Sequence, residues 1–258
     1  MALLNGAPID QKSLQALALT NFGHFTSMRV DEGHVRGLEL HLDRLVRDCA
    51  SVFDAELDRG RVRHLVHQAV GGLAGTFVVR VTVFDPDLTM GNPGADAQPS
   101  ILVTRREVAA GPLPPLSVRT VEYQREKPEI KHIGLFGQLA ARRAAQRAGA
   151  DDALFVTHDG KITEGGTWNF GAIIDDVVVW PQGGVLPGVT MALLQEAHSW
   201  ASEPVDRSDL HRVQAAFATN TSIGVRPIHK IDDRSLDIDH PVLAALRDAY
   251  AAVPGDPV

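Results

Sequence analysis

A lysine set among β-branched apolar residues is the first feature of the chain that could do covalent chemistry. Lys131 lies in the run Ile130-Lys131-His132-Ile133. Burial disfavours an ammonium ion and therefore lowers the pKa of a lysine. A neutral amine is the nucleophile that forms a Schiff base with a carbonyl compound. The alternative is an ordinary lysine at a strand end that reaches solvent.

Three other segments offer the donors that hold a phosphate group. The loop of residues 185–190 opens a predicted helix through Pro-Gly, and free N–H groups at a helix start attract anions. Residues 219–222, Thr-Asn-Thr-Ser, end an apolar strand, where ligands often bind in α/β proteins. Arg44, in the segment HLDRL, has a planar guanidinium that suits phosphate oxygens. The structural alternatives are a loop–helix junction, a polar turn and an ion pair with Asp48.

The order of these segments resembles the signature of the class IV, fold-type IV pyridoxal-phosphate enzymes. That family includes branched-chain aminotransferases, D-amino-acid aminotransferases and aminodeoxychorismate lyases. Residues 130–170 match its sequence of a lysine, an Ala-rich helix, a hairpin and the pattern E-x-x-x-x-N, and the resemblance extends over about residues 3–252. It implies pyridoxal 5'-phosphate (PLP) as the cofactor, a Schiff base on Lys131, a two-domain α/β fold and a homodimer.

The resemblance also implies roles for individual residues. Glu164 matches the glutamate that keeps the pyridine nitrogen protonated, so that the ring can take up electrons. Lys131, once released by a substrate amine, is expected to move the proton at the substrate Cα. Asn169 completes the motif that begins at Glu164. The phosphate contacts are expected from Arg44, Val189, Thr190 and Thr221.

Transamination between an amino acid and a 2-oxo acid is the expected reaction. It requires a cation for the substrate carboxylate, and Arg80, on a predicted strand, is the first candidate. A strand-end ion pair is the structural alternative for Arg80. Arg29 and Arg226 are weaker candidates, and Ser222 is expected near the substrate.

A lyase of the aminodeoxychorismate type, which releases pyruvate, is the alternative reaction. Phe25-Thr26-Ser27 resembles the F-T-T run of those lyases, and Thr26 would then assist proton transfer. Against this hypothesis, Asp85-Pro86-Asp87 stands where such lyases have a glycine-rich stretch.

Several positions depart from the family pattern. Met191 replaces the usual basic residue after LPGVT, Gly171 replaces an aromatic residue, Gly134 replaces an asparagine, and the segment around Gly23 is shortened. These changes bear on substrate choice more than on the cofactor. They are the support for a third hypothesis, a degenerate PLP-binding paralogue without turnover, against which the intact lysine and glutamate argue.

The elements that must position these residues fall into two predicted domains. An α+β domain spans residues 1–110, a Pro- and Gly-rich linker spans 111–117, and a mixed α/β, PLP-binding domain spans 118–258. Predicted strands are 25–30, 35–40, 77–84, 100–104, 118–123, 153–157, 161–163, 169–174, 177–180, 215–219 and 225–228, with a hairpin at Asn5-Gly6. Predicted helices are 41–53, 58–70, 135–148, 189–200, 206–212 and 241–252.

Composition narrows the choice of partners. The net charge of −7 argues against a nucleic-acid partner, which would favour a basic face. No apolar run approaches the roughly 20 residues of a membrane span, and the N-terminus lacks the pattern of a signal peptide. A single cysteine, Cys49, excludes an internal disulfide. We therefore expect a cytoplasmic enzyme of small amino and oxo acids, without a metal.

Overall fold

The chain divides into two units in a computed structural model that describes residues 1–108, 111 and 113–258. Unit 1 comprises Met1–Ala110, Ile130–Gly134 and Gly255–Val258, and unit 2 comprises Gly111–Glu129 and Leu135–Pro254. The helices are α1 Gln11–Thr20, α2 Leu38–Phe53, α3 Arg59–Val70, α4 Phe136–Arg147, α5 Val189–Ala197 and α6 Pro241–Ala252, with a 3-10 helix at Arg207–Arg212. The strands are β1 Ala2–Leu4, β2 Ala7–Pro8, β3 His24–Asp31, β4 His34–Arg36, β5 Thr76–Phe84, β6 Ser100–Glu107, β7 Leu116–Glu122, β8 Asp152–Val156, β9 Ile162–Gly165, β10 Asn169–Ile174, β11 Val177–Pro181, β12 Trp200–Glu203, β13 Ala215–Asn220, β14 Gly224–Ile231, β15 Arg234–Ser235 and β16 Gly255–Pro257.

The units differ from the predicted domain boundaries in two respects. Segment 130–134, which carries Lys131, and the segment 255–258 belong to unit 1 instead of the C-terminal domain. The predicted linker 111–117 includes Pro112, which lies outside the described residues, and its last two residues already belong to β7. The reason is non-local pairing: segment 130–134 bonds to the start of β3, and composition along the chain does not report such contacts.

Unit 1 is built on an antiparallel sheet with the strand order β16-β4-β3-β5-β6-β1-β2. Helices α2 and α3 contribute apolar side chains to the core of this unit, together with β3, β5 and β6. On α2, Leu38, Leu42, Leu45 and Cys49 recur at the helical period and are buried, as the sequence pattern predicts. The same helix also buries a polar row, His41, Arg44 and Asp48.

Local differences from the predicted elements have local causes. Helix α2 begins at Leu38, so the predicted strand 35–40 ends at Arg36; Gly37, with φ 68°, makes the turn between them. Helix α1 was not predicted, although Asp10 caps it by accepting a hydrogen bond from Ser13 N at 2.9 Å. The predicted helix 189–200 ends at Ala197, because the chain continues as β12 parallel to β11.

Unit 2 is built on a mixed sheet with the strand order β12-β11-β10-β13-β14-β7-β8-β9. Strand β9 also pairs with β10, so six of these strands form a closed ring. Helix α4 packs on β8 through small alanine side chains, and α5 and α6 pack over Phe217 of β13. The predicted α/β class, with an α+β unit and a mixed α/β unit, is confirmed. No helix in the described part of the chain has the length and apolarity to cross a membrane.

Candidate active site

Lys131 is held by its backbone in unit 1. Its N–H donates to Asp48 Oδ2 at 3.0 Å, and its carbonyl accepts from Phe25 N at 2.9 Å. Two residues further on, Ile133 N donates to the Gly23 carbonyl at 3.0 Å. The segment therefore lies antiparallel to the start of β3. A Cβ at Gly23 would overlap the Val83 carbonyl of β5, so the chain requires a glycine just before β3.

The side chains of a lysine and an arginine both lie over the ring of Phe25. The Lys131 Nζ atom lies 4.9 Å from the ring centroid, and the Arg80 Cζ atom lies 3.6 Å from it. Burial lowers the pKa of Arg80. Arg80 donates to Thr82 Oγ1 at 3.2 Å and forms no ion pair with any described acidic residue. The strand-end ion pair considered as an alternative for Arg80 is therefore not observed, and its charge is available to an anion.

Arg29, unlike Arg80, forms an ion pair with one of the described acidic residues. Its Nε donates to both carboxylate oxygens of Asp31 at 3.0 Å, at the other end of β3. The guanidinium of Arg29 is thus already paired with an acid. The structure makes Arg80 the stronger candidate for a substrate carboxylate.

Arg44 and Thr26 are both buried and contact one another. Arg44 Nη2 donates to Thr26 Oγ1 at 2.6 Å, and the same hydroxyl oxygen lies 2.7 Å from His41 Nδ1. Burial and the charges of Arg44 and Lys131 hold the pKa of His41 well below its usual range, so its ring is neutral. The Thr26 hydroxyl is completely buried and contacts both Arg44 and His41, and its role in proton transfer stays a prediction.

Asp48 and His24 extend this buried polar cluster. Asp48 Oδ1 accepts from Arg47 Nη2 at 2.8 Å, so the buried carboxylate has a cationic partner as well as the Lys131 N–H. Burial lowers the pKa of His24 to about 4, although Asp48 opposes the shift. Neither ring nitrogen of His24 has a hydrogen-bond partner among the described residues.

Glu164 lies in the interior of unit 2 beside a cation. Arg125 Nη1 lies 3.3 Å from Glu164 Oε1, and both side chains are 6% exposed. Leu186 N donates to the other carboxylate oxygen at 3.2 Å. The guanidinium supplies the positive charge that a buried carboxylate needs.

Glu164, Asn169 and Thr219 lie side by side across three neighbouring strands. Asn169 on β10 is directly opposite Glu164 on β9 and directly opposite Thr219 on β13. All three side chains are buried. The Oγ1 atom of Thr219 has no hydrogen-bond partner in the described part of the chain. A buried hydroxyl without a protein partner is left to bind a water molecule or a ligand group.

The loop before α5 is tied to this row of side chains. Asn169 Nδ2 donates to the Leu186 carbonyl at 2.8 Å, and a Cβ at Gly188 would overlap the Asn169 side-chain oxygen. Val189 and Thr190 form the buried first turn of α5, whose N–H groups have no acceptor within the helix. No side chain among the described residues caps this end of the helix. An anion is stabilised at such a position.

Thr221 and Ser222 lie in the turn that follows β13. Asn220 Oδ1 accepts from Ser222 N at 2.8 Å and from Ile223 N at 3.0 Å, and this closes the turn. Both predicted residues are partly exposed there. Their roles stay predictions.

Sequence reasoning missed the residues that support the site. Arg125 was not considered, and Asp48 was considered only as a partner for Arg44. Arg125 contacts Glu164, which is 39 positions away in the sequence, and Asp48 contacts Lys131, which is 83 positions away. Asp48 lies in a helix rich in apolar residues, which is a weak sequence signal, whereas Arg125 stands between Gln124 and Glu126 and has no such signal.

Comparison with known proteins identifies the family. The model of the family described as amino-transferase class IV matches residues 23–231. The chain belongs to the class IV aminotransferase family. The protein is accordingly a PLP-dependent transaminase, and the predicted family, reaction class and cofactor are confirmed.

Similar proteins agree in length and fold. A putative branched-chain-amino-acid aminotransferase from Methanocaldococcus jannaschii is 25% identical over 261 residues, which cover 91% of this chain and 88% of that protein. A fold IV transaminase from Curtobacterium pusillum has a TM-score of 0.77 and 26% identity, over 90% of this chain and 87% of the other. The structure of a branched-chain aminotransferase from Thermoproteus uzoniensis with norvaline has a TM-score of 0.82 at 20% identity, over 97% of this chain and 93% of the other.

Proposed function

We propose that the class IV transaminase uses Lys131 as the amine that binds PLP covalently and Arg80 as the cation that binds the substrate carboxylate. The observation that carries this proposal is the arrangement at Phe25. Its ring contacts both the Lys131 amine and a guanidinium that has no acidic partner among the described residues. A transaminase needs a reactive amine and an anion-binding cation in one site.

The donor set fits the cofactor. When bound, PLP supplies an aldehyde for the amine and a ring that withdraws electrons from the substrate Cα. Glu164 is the acceptor for the pyridine N–H, and Arg125 maintains the negative charge of its carboxylate. The phosphate contacts are assigned to Arg44, Thr221 and the N–H groups of Val189 and Thr190, and the Thr219 hydroxyl lies one strand residue before the turn that carries Thr221.

Proton movement is assigned to Lys131. A neutral Nζ amine would take the proton from the substrate Cα and deliver it to C4′ of the bound cofactor, and it would move a proton in the reverse direction in the second half-reaction. Arg80 orients the substrate by its carboxylate, so that the Cα proton is aligned with the amine. Ser222 is retained as a candidate contact on the substrate side.

The lyase alternative is not favoured. The relatives described above are named as aminotransferases or transaminases. The lyase hypothesis depended on Thr26, whose hydroxyl is engaged by Arg44 and His41. A degenerate paralogue is likewise not favoured, because the two residues that define the chemistry, Lys131 and Glu164, are both present.

The proposal extends to substrate, assembly and location. Branched-chain amino acids are the first donors to test, because the Methanocaldococcus jannaschii relative carries that name. A homodimer in the cytoplasm is the expected working form, as the family resemblance implies.

Borohydride trapping tests the proposal directly. The purified protein, incubated with PLP, is expected to absorb as an imine, and reduction followed by peptide mapping should place the pyridoxyl group on Lys131. Lys131→Ala should lose both the absorbance and the turnover of branched-chain donors with 2-oxoglutarate. An adduct on another lysine, or a colourless wild-type protein, would contradict the assignment. Pyruvate release without an amino acceptor would instead support the lyase.

A further inference from the structure

We infer that Asp48 is a positioning residue for Lys131, and that its carboxylate fixes the backbone from which the reactive amine extends. The inference rests on the proposed role of Lys131. It concerns a residue that is completely buried and binds the backbone N–H of Lys131. It therefore predicts a defect in covalent loading and not in stability alone.

The segment that carries Lys131 depends on contacts that are distant in sequence. Residues 130–134 belong to unit 1, whereas the residues on both sides of them belong to unit 2. Two backbone hydrogen bonds tie the segment to the start of β3, from Phe25 N to the Lys131 carbonyl and from Ile133 N to the Gly23 carbonyl. The third, from Lys131 N to Asp48 Oδ2, uses a side chain. It can therefore be removed without altering the backbone.

The surroundings of Asp48 indicate a specific role. The residue has no exposed surface, and an aspartate in a helix interior is unfavourable both for its helix propensity and for its buried charge. Arg47 balances the charge through Nε at 3.1 Å and Nη2 at 2.8 Å, both to Oδ1. The other oxygen, Oδ2, is left to accept from Lys131 N. Because its two oxygens bind different partners, the Asp48 carboxylate joins helix α2 to the lysine segment.

The position of Asp48 on α2 links Lys131 to Arg44, the arginine proposed to bind the phosphate. Arg44 and Asp48 are one helical turn apart on the same buried face. Arg44 contacts Thr26 of β3, and Asp48 contacts the segment that pairs with β3. One helix therefore holds both groups, and loss of the Asp48 contact loosens the lysine segment, which keeps its backbone hydrogen bonds to β3, while Arg44 stays in place. Ordering the loosened segment on covalent loading would then weaken the imine equilibrium.

Three variants separate positioning from stability. Asp48→Ala removes the acceptor, and Asp48→Asn retains a carbonyl oxygen that can accept from Lys131 N. Leu45→Ala is the matched control, because Leu45 is an equally buried residue of the same helix and its truncation also leaves a cavity. For each protein, the fraction of pyridoxyl-Lys131 after borohydride reduction is measured over a range of PLP concentrations, beside its urea midpoint.

D48A is expected to raise the PLP concentration for half-maximal adduct about tenfold or more, as for the loss of a hydrogen bond to a charged group. D48N should stay within about threefold of the wild type. L45A should lower the urea midpoint and leave the loading curve unchanged. If D48A does not fold, Asp48→Ser replaces it, since a helix-interior serine bonds to its own preceding turn.

Two results would overturn the inference. A loading curve for D48A that matches L45A would reduce Asp48 to a stabilising residue, and a loss in D48N as large as in D48A would exclude the hydrogen bond as the cause. Absence of an adduct on Lys131 in the wild type would instead refute the proposed function. The wild-type measurement therefore distinguishes the two failures.

Discussion

The ion pair between Arg125 and Glu164 offers the sharpest test of how unit 2 tolerates a buried carboxylate. Arg125→Met keeps much of the side-chain volume and removes the guanidinium that lies 3.3 Å from Glu164. The carboxylate then remains in an interior where its side chain is only 6% exposed. We expect the apoprotein to lose stability, because the buried Glu164 carboxylate loses its attraction to the Arg125 guanidinium.

The magnitude follows from the burial of both partners. Breaking a buried pair from one side costs about 3–5 kcal/mol, since it leaves an uncompensated charge. Glu164→Gln should likewise destabilise, because it removes the carboxylate that lies 3.3 Å from the buried guanidinium. The double variant R125M/E164Q has neither charge, so its loss should be smaller than the sum of the single losses by about 1.5–3 kcal/mol.

Tryptophan fluorescence during urea unfolding of the apoprotein measures this effect selectively. All three tryptophans, Trp168, Trp180 and Trp200, belong to unit 2, so the signal reports the unit that contains the pair. The free energies of the four proteins form a double-mutant cycle. If the two single losses sum to the loss of the double variant within about 0.5 kcal/mol, the argument is refuted, because that additivity is what independent sites show.

Three further predictions concern unit 1. Arg80→Gln should raise the KM for the amino donor by about 10- to 100-fold and leave the cofactor absorbance unchanged, as for a lost charged hydrogen bond; an unchanged KM in steady-state kinetics would assign the carboxylate to another group. Burial lowers the pKa of His24 to about 4, so the unfolded chain takes up the proton at a higher pH than the folded chain. The free energy of unfolding should therefore fall as the pH is lowered from 6.5 to about 4. His24→Met should remove up to about 3 kcal/mol of that loss, measured by circular dichroism in urea at several pH values; an identical pH dependence would contradict the assignment. Burial raises the pKa of the Cys49 thiol to about 11, so iodoacetamide at pH 8 should label it only after unfolding, and rapid labelling of the native protein in a mass spectrum would show otherwise.

Much of the fold could be predicted from local patterns. The apolar period of α2 predicts its buried face, and the Asn5-Gly6 turn predicts the first hairpin, in which both residues have positive φ. The Ala-rich helix α4 was predicted within one residue at each end. These elements depend on periodicity or turn chemistry within a short window, which a single sequence displays.

The elements that were missed depend on partners far along the chain. Strand β16 exists because residues 255–257 pair with β4, and its Asp256 accepts from Leu38 N at the start of α2. Segment 130–134 joins unit 1 through β3 and Asp48. No local pattern reports such pairings, and both were therefore placed in the wrong unit or left as loop.

The polar face of α2 shows that the contacts of the site, like the missed strands, could not be predicted from local sequence. The spacing of His41, Arg44 and Asp48 places them on one helix face, and this was readable from the sequence. A charged row on a helix usually faces solvent, since burial of each charge requires a partner. Here the partners come from β3 and from the lysine segment. The same contacts that make the buried row stable also join the arginine proposed for the phosphate to the lysine proposed for the cofactor. An inward-facing polar row is therefore a structural sign of the site that only the folded chain displays.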